Sequence, residues 1–418
     1  MRARSEWSPL REVMIHRPSI EIEYAMLAPR PFLFERVFSV KKAIEEHIRL
    51  EEILRENGIK VYRLEEEIIK KADYDANFRE LLLNYVRSIV HFYGRIEDIR
   101  RAENEFAENI RQIDSKTLLD YLILEPSIDL KNDYENSGNY PTVYSNIPLA
   151  NLYFMRDQQA VADSGVIIGN MKREQRKSES DITSFVLLNV FGETDAFKMP
   201  QNAHFEGGDF MPAGDFAFIG TGSRTDYNGA FQALSSGKID CDEVLVVENP
   251  KYEFSQEDNM VNMHLDTYFN LAGDGIAVTS TYLAKRAKAR VYGKKSRSRY
   301  EKLSETNLYE YLKEKGFNFI DLTVPEQLAY SSNFLTISDR KIISVNVESV
   351  IKRLISQRAF DKSTEEVIKT ELSKIGEKIF PNRKEIKDFG IDFIDAELIE
   401  LTGGYGGAHC MTATLNRN

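Results

Sequence analysis

The chain has 418 residues, 42% hydrophobic and 29% charged, with 55 basic and 66 acidic side chains giving a net charge of −11. This is the composition of a soluble globular protein with ample core and room for more than one unit, and it offers no basic field to hold nucleic-acid phosphates. Two cysteines, Cys241 and Cys410, make no disulfide framework. Met1–Glu6 lacks a signal-peptide apolar region, and no apolar run approaches the roughly 18 residues of a membrane helix. A cytoplasmic protein with no membrane and no nucleic-acid partner is expected.

In chain order, Glu12–His16 reads as a strand closed by Arg17-Pro18. Ser39 can cap a helix to about Asn57, with Ala43, Ile44, His47, Ile48, Leu50 and Leu54 on or near its buried face; Gly58 ends it and Ile59–Leu64 is the next strand. From about Glu65 to Asn139 strand signals vanish, and helical periodicity runs through Phe78, Leu82, Val86, Ile89, Val90, Phe92 and Tyr93 to Leu118–Leu122. An inserted helical domain at 65–139 is expected, on an α/β body made of 1–64 and 140–418.

From Asn151 strands dominate. Asn151–Asp157 predicts an apolar strand ending in two charges, and Val161–Asp163 with Val166–Ile168 a hairpin. A short helix around Arg173–Ile182 and a strand at Phe185–Leu188 follow. Phe205–Phe210 opens the next unit, with a strand at Phe216–Gly220, a helix near Asn228–Ser235 and a strand at Glu243–Val247. Met263–Asn270 starts another, continued by a strand at Gly275–Val278, a helix at Tyr300–Lys315 and a strand at Asn318–Leu322. The last has strands at Asn333–Ile337 and Lys341–Val345, a helical region from Glu348 to about Ile379, and a strand at Ile391–Asp395. Strand, strand, helix, strand thus recurs about five times with a period near 50 residues. The expected fold is α/β, a five-bladed pseudo-symmetric propeller of ββαβ units.

The chemistry centres on Gly403-Gly404-Tyr405-Gly406-Gly407-Ala408-His409-Cys410. Glycines there allow positive φ and close approach of amides to a ligand. Cys410, beside His409 on a loop that no bulky side chain shields, is a candidate nucleophile. The plainer alternative is a turn into a buried strand, with Cys410 a small hydrophobe. Upstream, Asp157, Glu206, Asp209, His264 and Asp266 each follow an apolar strand or occupy a turn. The i, i+2 spacing of His264 and Asp266 puts both on one face of a strand.

Singly, each has an ordinary explanation. Arg156-Asp157 suits a surface ion pair, Glu206–Asp209 a turn whose acids cap nearby N–H groups, and His264 a core histidine. Together they are equipment for chemistry on a cation. A guanidinium fits, because its planar fork of donors matches carboxylates two at a time. Asp157 and Asp266 could grip its nitrogens while Cys410 attacks the central carbon. His264, oriented by Glu206, would protonate the departing nitrogen and then activate water.

The segments Asn151–Asp157, Phe205–Asp209, His264–Thr267 and His409–Thr412 resemble the motifs of bacterial arginine deiminases, of the guanidine-modifying pentein superfamily. Order, spacing and the place of the helical insertion agree over essentially the whole chain. The resemblance implies hydrolysis of L-arginine to L-citrulline and ammonia, with no metal and no cofactor. It implies Cys410 as nucleophile, His264 as acid/base, Asp157 and Asp266 as guanidinium ligands and Glu206 beside the histidine. Asn151, Arg176 and Arg224 fall where the family contacts the α-amino and α-carboxylate end, with Arg173 close enough to replace Arg176; Asp209, Tyr405 and His409 complete the expected substrate-binding set. The family commonly has an arginine at the position of Tyr405, where it binds the substrate carboxylate. A phenol cannot form that bidentate charged pair, so agmatine stands beside L-arginine as substrate.

Other readings are an amidinotransferase, a metal-dependent hydrolase using His204, Glu206, His264 and Asp266, and a non-catalytic scaffold. A zinc deaminase would need a Pro-Cys-x-x-Cys pair that this chain lacks. A small guanidine substrate is the expected partner, and self-association into a homo-oligomer is compatible with the sequence.

Overall fold

The computed structural model describes all residues except 132–140, 254–261, 358, 360–361 and 376–377. Strand β1 (Leu10–Ile15) lies parallel to β2 (Lys60–Arg63), and a parallel pair requires a crossover. Helix Val40–Glu56 supplies it, started by Ser39, whose side chain accepts from the Lys42 amide. Its buried face is Ala43, His47, Leu50, Ile53 and Leu54, and Gly58 at φ +76° stops it after Asn57.

Helices Leu64–Tyr74, Ala76–Ile89, Ile96–Asn109 and Ser115–Leu124 follow. Strand signals are not absent here: β3 (His91–Tyr93), β4 (Pro126–Asp129) and β5 (Thr142–Ser145) form a small sheet in that order. Phe92 and Tyr93 therefore leave the helical periodicity read for them. These strands are too short to alternate visibly, and His91, Tyr93, Thr142, Val143 and Tyr144 are exposed. Leu64, Phe78, Leu82, Val86 and Leu118 share one core with Leu152, Met155 and Val186. The expected boundary at 139/140 lies outside the described residues.

The remaining strands form recurring sheets. The first comprises β6 (Gln159–Ala162), β7 (Gly165–Ile168) and β8 (Phe197–Lys198). Next come β9 (Phe210–Ala213), β10 (Phe216–Thr221) and β11 (Glu243–Glu248). A third has β12 (Phe269–Gly273), β13 (Ile276–Thr279) and β16 (Asn318–Asp321); the long hairpin β14 (Lys288–Ser296) and β15 (Arg299–Asn307) lies between β13 and β16 in the chain but pairs with the second sheet. The fourth holds β17 (Leu335–Ser338), β18 (Lys341–Ser344) and β19 (Asp392–Asp395). In each, the first two strands are antiparallel, and the middle strand pairs in parallel with the last across a helical crossover. The same pattern completes the amino-terminal sheet, where β20 (Ala413–Arg417) runs antiparallel to β1, giving the order β2-β1-β20. Middle strands are buried almost end to end, as expected of strands covered on both faces.

Several local expectations are corrected. Asn151–Asp157 is not a strand but a buried run of turns; its apolar side chains fill the core from irregular backbone. Phe185–Leu188 is not a strand either, because helix Lys177–Asn189 runs through it and the unit's last strand is the two-residue β8. His264–Asp266 enters a 3₁₀ turn over Leu265–Thr267 rather than a strand. The helix expected at Tyr300–Lys315 begins only at Leu308, since Arg299–Asn307 pairs with β14. That hairpin joins β11 and extends its sheet to five strands. The region after Glu348 divides into helices Val347–Ser356 and Lys362–Ile375.

Candidate active site

The turns that open the sheets carry the charged residues. Asp157 ends the run before β6; Glu206 precedes and Asp209 ends a 3₁₀ turn before β9, and His264 precedes a 3₁₀ turn containing Asp266 before β12. His409 and Cys410 precede β20. All seven, Asp157, Glu206, Asp209, His264, Asp266, His409 and Cys410, are at most 1% exposed. Charges so buried need partners.

His264 stands between two acids. Its Nε2 lies 2.8 Å from Glu206 Oε2 and its Nδ1 3.6 Å from Asp157 Oδ1. Burial alone would push this imidazole down, but the charges of Asp157, Glu206 and Asp209 raise it to about 9. Glu206 is held well below the usual carboxylate range. Burial opposes this, and the His264 hydrogen bond with the Arg224 and Arg176 charges overcomes it. The other Glu206 oxygen accepts from the Lys172 amide at 2.9 Å. Gly208 makes this packing possible: a Cβ there would lie 2.8 Å from His264 Nδ1 and 2.9 Å from Asp157 Oδ1.

Cys410 and Asp266 form the second half. The thiol donates to Asp266 Oδ2 at 3.4 Å, and the same oxygen lies 2.8 Å from His409 Nδ1. Burial first, then the charges of Asp266 and Asp157, push the Cys410 thiol far up. Asp266 itself is depressed despite burial, because His409 hydrogen-bonds it and His264 adds positive charge. Asp157 acts on Cys410 and His264 on Asp266, so the two halves share one electrostatic environment. The sulfur is not on an unshielded loop, as the glycines suggested. At Gly406 a Cβ would come within 2.6 Å of the Phe154 ring and 2.8 Å of Cys410 Cβ, so the loop is pressed against an aromatic wall.

Asp157 Oδ1 and Asp266 Oδ1 are buried and have no hydrogen-bond partner among the described residues. Each acid thus holds its place with one oxygen and leaves the other for something else. Asp157 Oδ2 accepts from Arg176 at 2.7 Å, and Arg176 in turn forks onto Glu179 through Nε and a terminal nitrogen at 2.8–3.1 Å.

The residues expected at the far end of a substrate are distributed unevenly. Arg224 is buried, which lowers it; the charges of Glu206 and Asp157 oppose that fall, and those of Arg176 and Arg173 add to it. Asn151 donates to the Phe32 carbonyl at 2.8 Å, tying it to the loop above. Asp209 Oδ1 accepts from Asn249 at 2.8 Å and from the Leu265 amide at 2.9 Å, bracing the turn that carries His264, and burial lifts this acid to about 6. His409 sits behind Asp266, its Nε2 3.6 Å from Glu6 Oε1, rather than beside the sulfur as a binding group. Tyr405 takes the left-handed conformation at φ +72° and is half-buried; among the described residues no hydrogen bond joins it to the acids, imidazole or thiol.

Sequence reasoning missed Glu6, Asn333, Glu179 and Asn249. Each is buried or part-buried and partnered with a site residue, and no local sequence pattern marks it. Of the alternative metal set, His204 and Asp266 are outside the potential ligand cluster found among the described residues. One donor atom each from Asp157, Glu206 and His264 lies within 4.8 Å of the others, a set that shares only Glu206 and His264 with the one read from the sequence.

Arginine deiminase of Halobacterium salinarum is 27% identical, covering 100% of this chain and 96% of that protein. Arginine deiminase 1 of Staphylococcus epidermidis is 24% identical, covering 100% and 98%. Among solved structures, DDAH from Pseudomonas aeruginosa complexed with citrulline gives a TM-score of 0.50 at 13% identity, covering 97% of this chain and 100% of that one. SxtG, an amidinotransferase from Microseira wollei, gives 0.51 at 13% identity, covering 100% and 97%. These structures show an α/β fold of the pentein type. The family model for arginine deiminase matches residues 30–417, and the chain belongs to the arginine deiminase family.

Proposed function

We propose that this protein hydrolyses L-arginine to L-citrulline and ammonia through a covalent adduct on Cys410. The observation that carries the proposal is the pair of buried oxygens on Asp157 and Asp266 that accept no hydrogen bond among the described residues, one facing His264 Nδ1 at 3.6 Å and the other on the carboxylate that receives the Cys410 thiol. A guanidinium between them gains charge-assisted hydrogen bonds from both acids. Its positive charge also favours the thiolate, which the empty acids disfavour.

The thiolate then attacks the guanidinium carbon, forming the C–S bond of a tetrahedral adduct. His264 gives its proton to the departing nitrogen, ammonia leaves, and a thiouronium remains on Cys410. His264, now neutral, takes a proton from water as the oxygen adds to the same carbon. Collapse breaks the C–S bond, releasing the ureido product and restoring the thiolate. Glu206 holds the imidazole throughout. Arg224, with Arg173 beside it, is assigned to the substrate carboxylate, and Arg176 to fixing Asp157.

The repeated ββαβ order supports reading the sheets as five blades of a propeller, with 65–139 as an inserted helical domain. Among the described residues no helix is long and apolar enough to cross a membrane; a cytoplasmic location and self-association into a homo-oligomer are part of the same reading. Tyr405 favours one second reading, deimination of a guanidine without a carboxylate. Incubation with L-arginine and with agmatine, assaying ureido product and ammonia, tests both. Product from arginine supports the proposal, product from agmatine alone replaces its substrate, and amidine transfer to an added amine without ammonia overturns it.

A further inference from the structure

We propose that Asn333 is a positioning residue that sets the Cys410 sulfur against Asp266, an inference that rests on reading Cys410 as the nucleophile. Asn333 is fully buried in the turn before β17. Its Oδ1 accepts from the Gly407 amide at 2.7 Å and the Cys410 amide at 3.1 Å, and its carbonyl accepts from the His409 amide at 3.1 Å. Its Nδ2 donates to the Asp266 carbonyl at 3.3 Å. One side chain thus ties together two segments whose reactive groups, Sγ and Oδ2, lie 3.4 Å apart and 144 positions apart in sequence.

The amide is needed in this orientation. Oxygen toward two N–H donors and nitrogen toward a carbonyl satisfies every atom, and a flipped amide would satisfy none. The approach is close: a Cβ on Gly407 would lie 2.7 Å from the Asn333 carbonyl oxygen and 3.3 Å from its Oδ1. The Asn333 side chain also opposes the burial and acidic charges that raise the thiol. No other polar side chain among the described residues bonds both the Cys410 loop and Asp266. Ser332 reaches the Asp266 carbonyl at 3.2 Å but not the loop.

Aspartate at this position separates positioning from packing. It keeps the shape and the two accepted amides but loses the donor to Asp266 and places a negative charge beside the sulfur. The full chain carrying Asn333→Asp or Asn333→Ala is assayed with L-arginine, its melting temperature recorded, and Cys410 alkylation by iodoacetamide followed by mass spectrometry across pH. For Asn333→Asp we expect kcat to fall at least tenfold with KM within threefold, and alkylation to need higher pH than in the parent. Asn333→Ala shows whether loss of the clamp alone lowers kcat. A kcat within threefold of the parent for both variants overturns the proposal. So does a loss of kcat that tracks the melting temperature while the alkylation profile stays that of the parent. An alkylation shift in a chain that releases no product from arginine upholds the positioning role and discards the substrate instead.

Discussion

Arg176 donates to Asp157 Oδ2 at 2.7 Å, so one guanidinium of the protein lies on the outer edge of the carboxylate proposed to hold another. The same Arg176 reaches Glu179 through Nε and a terminal nitrogen, a fork that a single ammonium cannot reproduce. Arg176→Lys should leave Asp157 poorly aimed. We expect KM for arginine to rise roughly tenfold, with a smaller change in kcat, measured by citrulline formation.

Cys410→Ser keeps the size of the group and removes a nucleophile that sulfur alone supplies at neutral pH. Turnover should fall by more than about a thousandfold, while calorimetry still detects arginine binding through Asp157 and Asp266. Substantial turnover in this variant would point to water attack without a covalent adduct.

Arg224 offers a test that separates substrates. If it holds the carboxylate, Arg224→Ala should lower kcat/KM for arginine by roughly a hundredfold and leave any activity on agmatine within a few-fold. Equal losses on both would assign Arg224 to the electrostatics of Glu206 instead.

Asp209 is raised by burial to about 6, so above that pH the fold must carry a buried charge it disfavours. An asparagine could still accept the Asn249 and Leu265 donors through Oδ1. Asp209→Asn should therefore raise the melting temperature at pH 8 by about 1–2 °C and lose this advantage near pH 5.

Stability should peak in mildly acidic solution. Glu35, Glu46 and Glu179 are raised to about 7 and His16 and His264 to about 9, mainly against or because of burial. Groups raised on folding bind more protons in the native state, so their contribution is full below the unfolded values and is lost as pH climbs through the folded ones. Glu206 and Asp266 are depressed, and their contribution is lost as pH falls below the ordinary carboxylate range. Melting temperature should rise from pH 3 to about 5 and decline steadily between 7 and 9.

Much of this was legible in the residues. Strands such as Glu243–Glu248 announced themselves by apolar runs, and Ser39 with Gly58 bracketed their helix. The acids, imidazole and thiol were legible because they break apolar stretches at turns. What stayed hidden depends on partners far away. Arg299–Asn307 is mostly exposed and pairs only with β14, so nothing apolar marks it as a strand. Phe185–Leu188 has the residues of a strand but continues a helix whose buried face includes Val186 and Leu187. Asn333 and Glu6 matter through what they touch, and no local pattern carries that.

The amino-terminal sheet is finished by a strand that arrives at the opposite end of the polypeptide: Arg417 bonds Glu6 across a separation of 411 residues. Cys410 lies just ahead of that strand, so the pairing that completes this sheet also fixes the segment that carries the thiol.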